Sequence, residues 1–83
     1  MTQKKSKRVA FVFDERSLIT LEEMTKEGRF SSMADTVRES LQISRALQEQ
    51  ALDGFSEIIV RNPETGEERV IVIPYLRSLP RGE

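Results

Sequence analysis

The sequence predicts an α+β fold, mainly α-helical, in which a short strand precedes two helices and a C-terminal β-hairpin. Three observations support this prediction. Apolar residues alternate along residues 7–13, recur every three or four positions between residues 15 and 53, and form two Ile- and Val-rich runs around a turn sequence at residues 62–66. Alternation is typical of a strand, whereas recurrence every three or four positions is typical of an amphipathic helix.

The chain length predicts a single domain. Its 83 residues contain no internal repeat, and with 37% hydrophobic residues it can build only a small core. We divide the domain into a flexible basic arm (1–6), a strand-helix-helix region (7–53), a hairpin (54–74) and a loose tail (75–83). The small core favours a contribution from a second subunit.

The composition excludes several classes of function. The chain has no cysteine and no histidine, and so it lacks thiolate chemistry, disulfides and the commonest general base and metal ligand. No apolar run approaches the roughly 18 residues of a membrane span, and the basic start leads into a strand pattern instead of a signal-peptide core. We therefore expect a cytoplasmic protein that is not an enzyme, needs no cofactor or metal, and has no membrane partner.

Charge is distributed unevenly along the chain. The first eight residues carry Lys4, Lys5, Lys7 and Arg8 with no acidic residue, and the other 75 carry nine basic and fourteen acidic side chains. A basic end on an acidic body indicates contact with a polyanion at one small place. On charge alone, the alternative is a solvated terminus that only aids solubility.

The N-terminal strand has two faces and no neighbouring strand. Its inner face is apolar, with Val9, Phe11 and Phe13, and its outer face contains Arg8, Ala10 and Val12. An isolated strand leaves its backbone groups unpaired. Its partner must therefore be the C-terminal hairpin or the same segment of a second molecule.

The first helix has clear signals at both ends. Asp14 can cap its free amides, and Leu18, Leu21 and Met24 then recur every three residues. Gly28 is expected to end the helix by supplying a left-handed position. These signals predict a helix of about 13 residues.

The second helix is expected to contact two neighbours. It starts at Ser32, which forms a Ser-x-x-Asp capping sequence with Asp35, and runs to about Asp53 before Gly54. Its apolar residues fall on two stripes about a third of a turn apart: Ala34, Val37 and Leu41 on one, and Ile43, Leu47 and Ala51 on the other. The second neighbour would be the C-terminal segment or another subunit.

The last third of the chain predicts a hairpin. The strands are residues 55–61 and 68–73, with Pro63 fixing the first bend of the turn and Gly66 taking a positive backbone angle. Pro74 ends the second strand because it cannot donate to a ladder. Both faces of this hairpin are apolar, so it would cover the second helix or offer an edge to a partner strand.

Four segments carry a family resemblance: Lys7-Arg8, residues 9–13, residues 14–18, and residues 30–41, Phe-Ser-Ser-Met-Ala-Asp-Thr-Val-Arg-Glu-Ser-Leu. Together they resemble the ribbon-helix-helix family of DNA-binding proteins, the Arc/MetJ-type regulators and plasmid antitoxins. The last segment is similar to the family's "SSxSEVIREAL"-like second helix. The resemblance covers about residues 7–53.

The resemblance implies a β-α-α homodimer whose two strands form an intermolecular two-stranded antiparallel ribbon that enters the DNA major groove. The implied base contacts are Arg8, Ala10 and Val12. The implied phosphate contacts are Lys4, Lys5, Lys7, Ser31, Ser32 and Met33. The implied dimer core is Val9, Phe11, Phe13, Leu18, Leu21, Val37 and Leu41. This chain departs from the family at Ala10 and Val12, which cannot hydrogen-bond a base edge.

The function so implied is that of a homodimeric transcriptional regulator or antitoxin-type repressor. Its partners would be double-stranded DNA, a second copy of itself and, for an antitoxin, a toxin. The alternative is a dimeric protein-interaction module that works through its hairpin. A further alternative is a monomeric sheet in which residues 8–13 join the hairpin. A helix-turn-helix mode is disfavoured because Asp35 and Glu39 would meet a polyanion.

Overall fold

The computed structural model describes residues 6–80 and consists of three helices and two strands. The elements, in chain order, are α1 (Glu15–Glu27), α2 (Met33–Leu52), β1 (Ile58–Arg61), β2 (Glu68–Ile71) and α3 (Pro74–Arg77). The chain divides into two compact units, Met1–Thr36 and Val37–Glu83.

The predicted N-terminal strand is absent, since residues 6–14 belong to no helix or strand. The described chain begins with a helix, so the predicted β-α-α order, and with it the ribbon-helix-helix homodimer with its intermolecular ribbon, is wrong. A strand exists through ladder hydrogen bonds to a neighbour. The sheet in the described residues contains only β1 and β2, which also excludes the monomeric sheet with residues 8–13.

Helix α1 begins where the sequence predicted. Asp14 is its N-cap, and the Asp14 carboxylate accepts a hydrogen bond from the Ser17 amide at 3.4 Å. The helix has 13 residues, as expected from its apolar spacing and its cap. Both predictions for the start and length of this helix are confirmed.

The end of α1 is a Schellman motif with an unexpected residue in the left-handed position. The Phe30 amide donates to the Thr25 carbonyl at 3.0 Å and the Arg29 amide to the Lys26 carbonyl at 3.2 Å. Arg29 has φ 58°, whereas Gly28 has φ −81°, so the predicted left-handed role of Gly28 is wrong. A Cβ at Gly28 would lie 2.8 Å from Cδ2 of the Phe30 ring, so glycine is needed here for space.

Helix α2 starts and stops at the predicted signals. The Ser32 hydroxyl accepts from the Asp35 amide at 3.1 Å, which caps the first turn. At the other end, Gly54 has φ 101° and the Phe55 amide donates to the Gln50 carbonyl at 2.9 Å. This is the same Schellman motif as in α1, with glycine in the left-handed position.

The predicted hairpin is present with shorter strands. Strands β1 and β2 are antiparallel, with Ile58 opposite Ile71 and Ile59 opposite Val70. Each strand has four residues, where the sequence predicted seven and six. The ladder therefore ends before the apolar runs do.

The hairpin turn is built by local hydrogen bonds. The Asn62 side-chain oxygen accepts from the amides of Glu64 at 2.9 Å and Thr65 at 3.3 Å. The Asn62 amide donates to the Glu67 carbonyl at 2.8 Å, and Gly66 has φ 80°. The predicted positive backbone angle at Gly66 is confirmed.

The segment after β2 is a short helix where a loose tail was expected. Pro74 occupies the first turn of α3, where its fixed φ suits the helix and its missing N–H is not needed. Leu76 is only 3% exposed, and its amide donates to the Ile73 carbonyl at 3.0 Å. Burial of this one leucine anchors the segment.

Candidate nucleic-acid interface

The basic residues predicted to meet DNA precede α1. Lys7 and Arg8 are exposed, and neither has regular secondary structure. Lys4 and Lys5 lie outside the described residues. No acidic residue occurs before Asp14, so this segment is the one strongly basic stretch of the sequence.

Apolar side chains of the same segment are exposed beside one another. The Phe11 and Phe13 rings stack with centroids 6.5 Å apart and planes 19° apart. Phe11 is 73% exposed and Val9 is 65% exposed. Although the segment is not a strand, these two rings share one side, as the predicted alternation requires.

Of the three predicted base contacts, Arg8 alone offers hydrogen-bond donors. Ala10 is exposed and Val12 is fully exposed, so both are available for contact. Their methyl groups can touch a thymine methyl but cannot bond a base edge. Discrimination among bases would therefore depend on the Arg8 guanidinium.

The start of α2 holds the other predicted phosphate contacts. The Ser31 hydroxyl donates to the Asp35 carboxylate, and the Ser32 hydroxyl accepts from the Asp35 amide. Both serine hydroxyls thus have local partners, while Met33 is 42% exposed. The first-turn amides can still attract an anion, but the Asp35 carboxylate opposes a close phosphate.

A hydroxyl pair that the sequence did not predict fixes the turn between the helices. Thr25 Oγ1 on α1 and Thr36 Oγ1 on α2 lie 2.7 Å apart. Thr25 Oγ1 also lies 2.7 Å from the Leu21 carbonyl, and Thr36 is only 1% exposed. Threonine in a helix interior is a weak signal, because its hydroxyl usually bonds back to its own helix.

The side chains predicted for a dimer core are not buried in this single chain. Leu21 and Val37 are half-buried, and the other five members are more exposed. Their exposed fractions are 65% for Val9, 73% for Phe11, 42% for Phe13, 38% for Leu18 and 63% for Leu41. Helix α1 contains no buried residue at all.

Electrostatics at the start of α1 favour an ionised carboxylate. The Ser17 side chain hydrogen-bonds the Asp14 carboxyl and, with help from nearby amides, lowers its pKa below 3.8.

The charge balance differs between the units. Residues 1–36 carry seven basic and six acidic side chains, whereas residues 37–83 carry six and eight. The basic character is therefore confined to the beginning of the first unit.

Between residues 6 and 80 there is no group of three or more side chains able to hold a metal ion. No helix there is long and apolar enough to cross a bilayer.

No protein-family model, curated protein or solved structure matches this chain.

Proposed function

We propose that this protein is a homodimeric, sequence-specific DNA-binding protein of the cytoplasm, a transcriptional regulator or an antitoxin-type repressor. It contacts DNA through its basic N-terminal segment, defined as residues 4–13. We do not propose that it binds DNA through a β-ribbon, because residues 7–13 are not a strand.

The observation that carries the proposal is the exposed basic stretch at Lys7 and Arg8, with Lys4 and Lys5 before it in the sequence. Four positive charges per chain, with no acidic residue before Asp14, suit a polyanion. Release of counterions from DNA phosphates would supply most of the affinity. The sequence resemblance of residues 7–53 to ribbon-helix-helix proteins favours DNA among the polyanions, although this chain does not form that family's strand.

Within this segment, Arg8 is the residue proposed to recognise a base. The guanidinium fork can donate two hydrogen bonds to the O6 and N7 atoms of guanine. Ala10 and Val12 would add apolar contact with thymine methyl groups. With one arginine per chain, each subunit is expected to distinguish bases only weakly. A dimer would make two such contacts.

The first turn of α2 is proposed to register the protein on the DNA backbone. The amides near Met33 carry the positive end of the helix dipole. Asp35 reduces this attraction, so the contact would contribute less than Lys7 and Arg8. Its role would be to orient the protein, since phosphate contacts carry no sequence information.

Exposed apolar side chains in each of the two units support a homodimer. Phe11, Phe13 and Leu18 are each more than a third exposed, together with Leu41 in the second unit. Fully burying one such side chain contributes about 1.5–3 kcal/mol. A second copy is the partner that would always be present to cover these residues.

Titration of a labelled duplex from the region upstream of the gene tests the proposal. Fluorescence anisotropy should give saturable binding at 50 mM salt and much weaker binding at 200 mM. A scrambled duplex of equal length should bind more weakly, because it keeps the phosphate contacts but loses the base contacts of Arg8, Ala10 and Val12.

Two variants make this experiment specific. Arg8→Ala should lose about 1–3 kcal/mol of discrimination between the two duplexes. Arg77→Ala, which removes an exposed arginine from the second unit, should leave discrimination unchanged. Absence of saturable binding at low salt would contradict DNA binding and favour the protein-interaction module.

A further inference from the structure

The hairpin in the second unit has an open edge along β1. We propose that this edge, defined as residues 57–61, pairs antiparallel with the same edge of a second copy of the chain. In the described residues the sheet contains only β1 and β2, so both strands expose unpaired backbone groups. Two strands alone are marginally stable, and an unpaired edge readily accepts another strand.

The hydrogen-bond pattern identifies which groups face outward. The Asn62 amide donates to the Glu67 carbonyl at 2.8 Å, so this is a hydrogen-bonded pair. Bonded and non-bonded pairs alternate along an antiparallel ladder. Arg61 and Ile59 therefore direct their N–H and C=O groups away from β2 and toward the open edge. The proposed pairing extends the same alternation by one residue, to Glu57, which immediately precedes β1.

One two-fold register uses all three outward-facing positions. With the axis at Ile59, each Ile59 lies opposite its own copy, and each Glu57 lies opposite the partner subunit's Arg61. On one face of the joined sheet, the two isoleucines then have a pair of oppositely charged side chains on each side of them. Cross-strand pairs of opposite charge stabilise a sheet, and like charges destabilise it. Between residues 6 and 80, neither Glu57 nor Arg61 makes an ion pair.

Other registers of the same edge fit less well. A shift of one residue would set outward groups against inward ones, because the alternation has a period of two. A shift of two in one direction places Glu57 opposite Pro63, which has no N–H. The opposite shift places Phe55 opposite Arg61, and both charge pairs are lost.

The β2 edge lacks this complementarity. By the same alternation, Glu68 and Val70 direct their backbone groups outward, because their partners Arg61 and Ile59 form the non-hydrogen-bonded pairs. Extending the alternation one residue beyond β2 adds Val72. An axis at Val70 would set each Glu68 carboxylate opposite a valine. The charges therefore select β1 as the edge that meets a second copy.

Engineered cysteines test the pairing directly, because the chain has none of its own. In the proposed register the two Ile59 Cα atoms would be about 5.5 Å apart, within the range of about 4.4–6.8 Å that a disulfide spans. The two Val70 Cα atoms would be about 14 Å apart, three strand spacings. Val70→Cys is a matched control for Ile59→Cys, because the two residues lie opposite each other and are 56% and 54% exposed.

Mild oxidation of the full-length protein should crosslink Ile59→Cys into a covalent dimer and leave Val70→Cys monomeric on a non-reducing gel. Failure of Ile59→Cys to crosslink would overturn the proposal. Crosslinking of both variants would also overturn it, in favour of contact between hairpin faces. Neither readout requires DNA, so a failure here is distinguishable from failure of the proposed DNA binding.

Charge variants test the register by a different property. Sedimentation equilibrium should show association weakened about tenfold by Glu57→Arg, which sets like charges opposite at both ends. Glu64→Arg changes the net charge equally but lies in the turn, so association should persist. Adding Arg61→Glu to Glu57→Arg should restore most of the association. Equal weakening by Glu57→Arg and Glu64→Arg, or no recovery in the double variant, would contradict the register.

Discussion

Thr25 and Thr36 share a hydrogen bond between their hydroxyl groups, 2.7 Å apart, that joins α1 to the first turn of α2. Thr25 lies equally close to the Leu21 carbonyl, whereas Thr36 lies 3.2 Å from the Ser32 carbonyl. The shorter distances indicate that Thr36 donates to Thr25, which donates to Leu21. This chain of bonds holds the first turn of α2 against α1 within the first unit.

Replacing Thr36 by valine should lower the free energy of unfolding by about 1 kcal/mol, the net contribution of one hydrogen bond. The change preserves shape, and Thr36 is only 1% exposed. Urea denaturation measures the loss. Thr20→Val, at an exposed position of α1, is the matched control and should be nearly neutral. Equal effects of the two changes would show that the shared hydrogen bond adds nothing.

Gly28→Ala should destabilise the first unit even though alanine favours helices and Gly28 has an ordinary φ. The new Cβ would lie 2.8 Å from Phe30 Cδ2 and 3.0 Å from the Met24 carbonyl oxygen. Such overpacking costs about 1–3 kcal/mol, measurable by thermal or urea unfolding. The cost should shrink in a Phe30→Leu background, where the ring is absent. An unchanged cost in that background would contradict the proposed steric cause.

Arg29→Gly should raise the free energy of unfolding, because a left-handed φ costs an L-residue roughly 1–2 kcal/mol and glycine almost nothing. Gly54→Ala should do the reverse at the equivalent position of α2, where φ is 101° and no atom lies within 4 Å of the added Cβ. Arg29→Ala removes the charge but keeps the strain. If it stabilised as much as Arg29→Gly, the backbone explanation would fail.

The Asp14 cap should make α1 sensitive to acid. Hydrogen bonding from Ser17 lowers the Asp14 pKa in the folded chain below 3.8. The unfolded chain therefore binds the proton more readily, so the cap's stabilisation is present above about pH 4 and is lost as pH falls through the folded pKa. Far-UV circular dichroism between pH 6 and 2 should detect it.

Asp14→Asn is the control for this titration, since asparagine caps a helix about as well and does not ionise. The difference in helicity between the wild type and this variant should appear only in the acid range. A constant difference at every pH would mean that ionisation of Asp14 is irrelevant to the cap.

Much of the helical and hairpin structure was predictable because its signals are local. Asp14 and Ser32 cap the helices that follow them, and the Asn62–Gly66 region folds through bonds between residues at most five apart. Such interactions require no knowledge of the rest of the chain. The predicted helix ends accordingly agree with the structure within about one residue.

The errors concern features that depend on distant or steric information. The alternation of Phe11 and Phe13 specified a strand's faces but not a partner, and without a partner no strand forms. At Gly28, the sequence did not distinguish a glycine needed for a positive φ from one needed for space. Leu76 follows a proline in a short apolar stretch, a signal that would have indicated an anchored helix instead of a loose tail.

The candidate site was predicted only as far as exposure and charge allow. Lys7 and Arg8 are exposed, as their position in a basic stretch indicated. The Ser-x-x-Asp spacing predicted the contact between Ser32 and Asp35 but not the hydrogen bond from Ser31 to Asp35. Sequence spacing specifies a cap, but it does not reveal which hydroxyl a carboxylate will accept from.

The salt dependence of DNA binding tests the central claim, contact through the N-terminal segment, most directly. The slope of log K against log salt should fall by about one for each phosphate contact removed. Lys5→Gln with Lys7→Gln should therefore flatten the slope, while Arg69→Gln with Arg77→Gln, an equal loss of charge in the second unit, should leave it unchanged. Equal slopes for both double variants would contradict the claim.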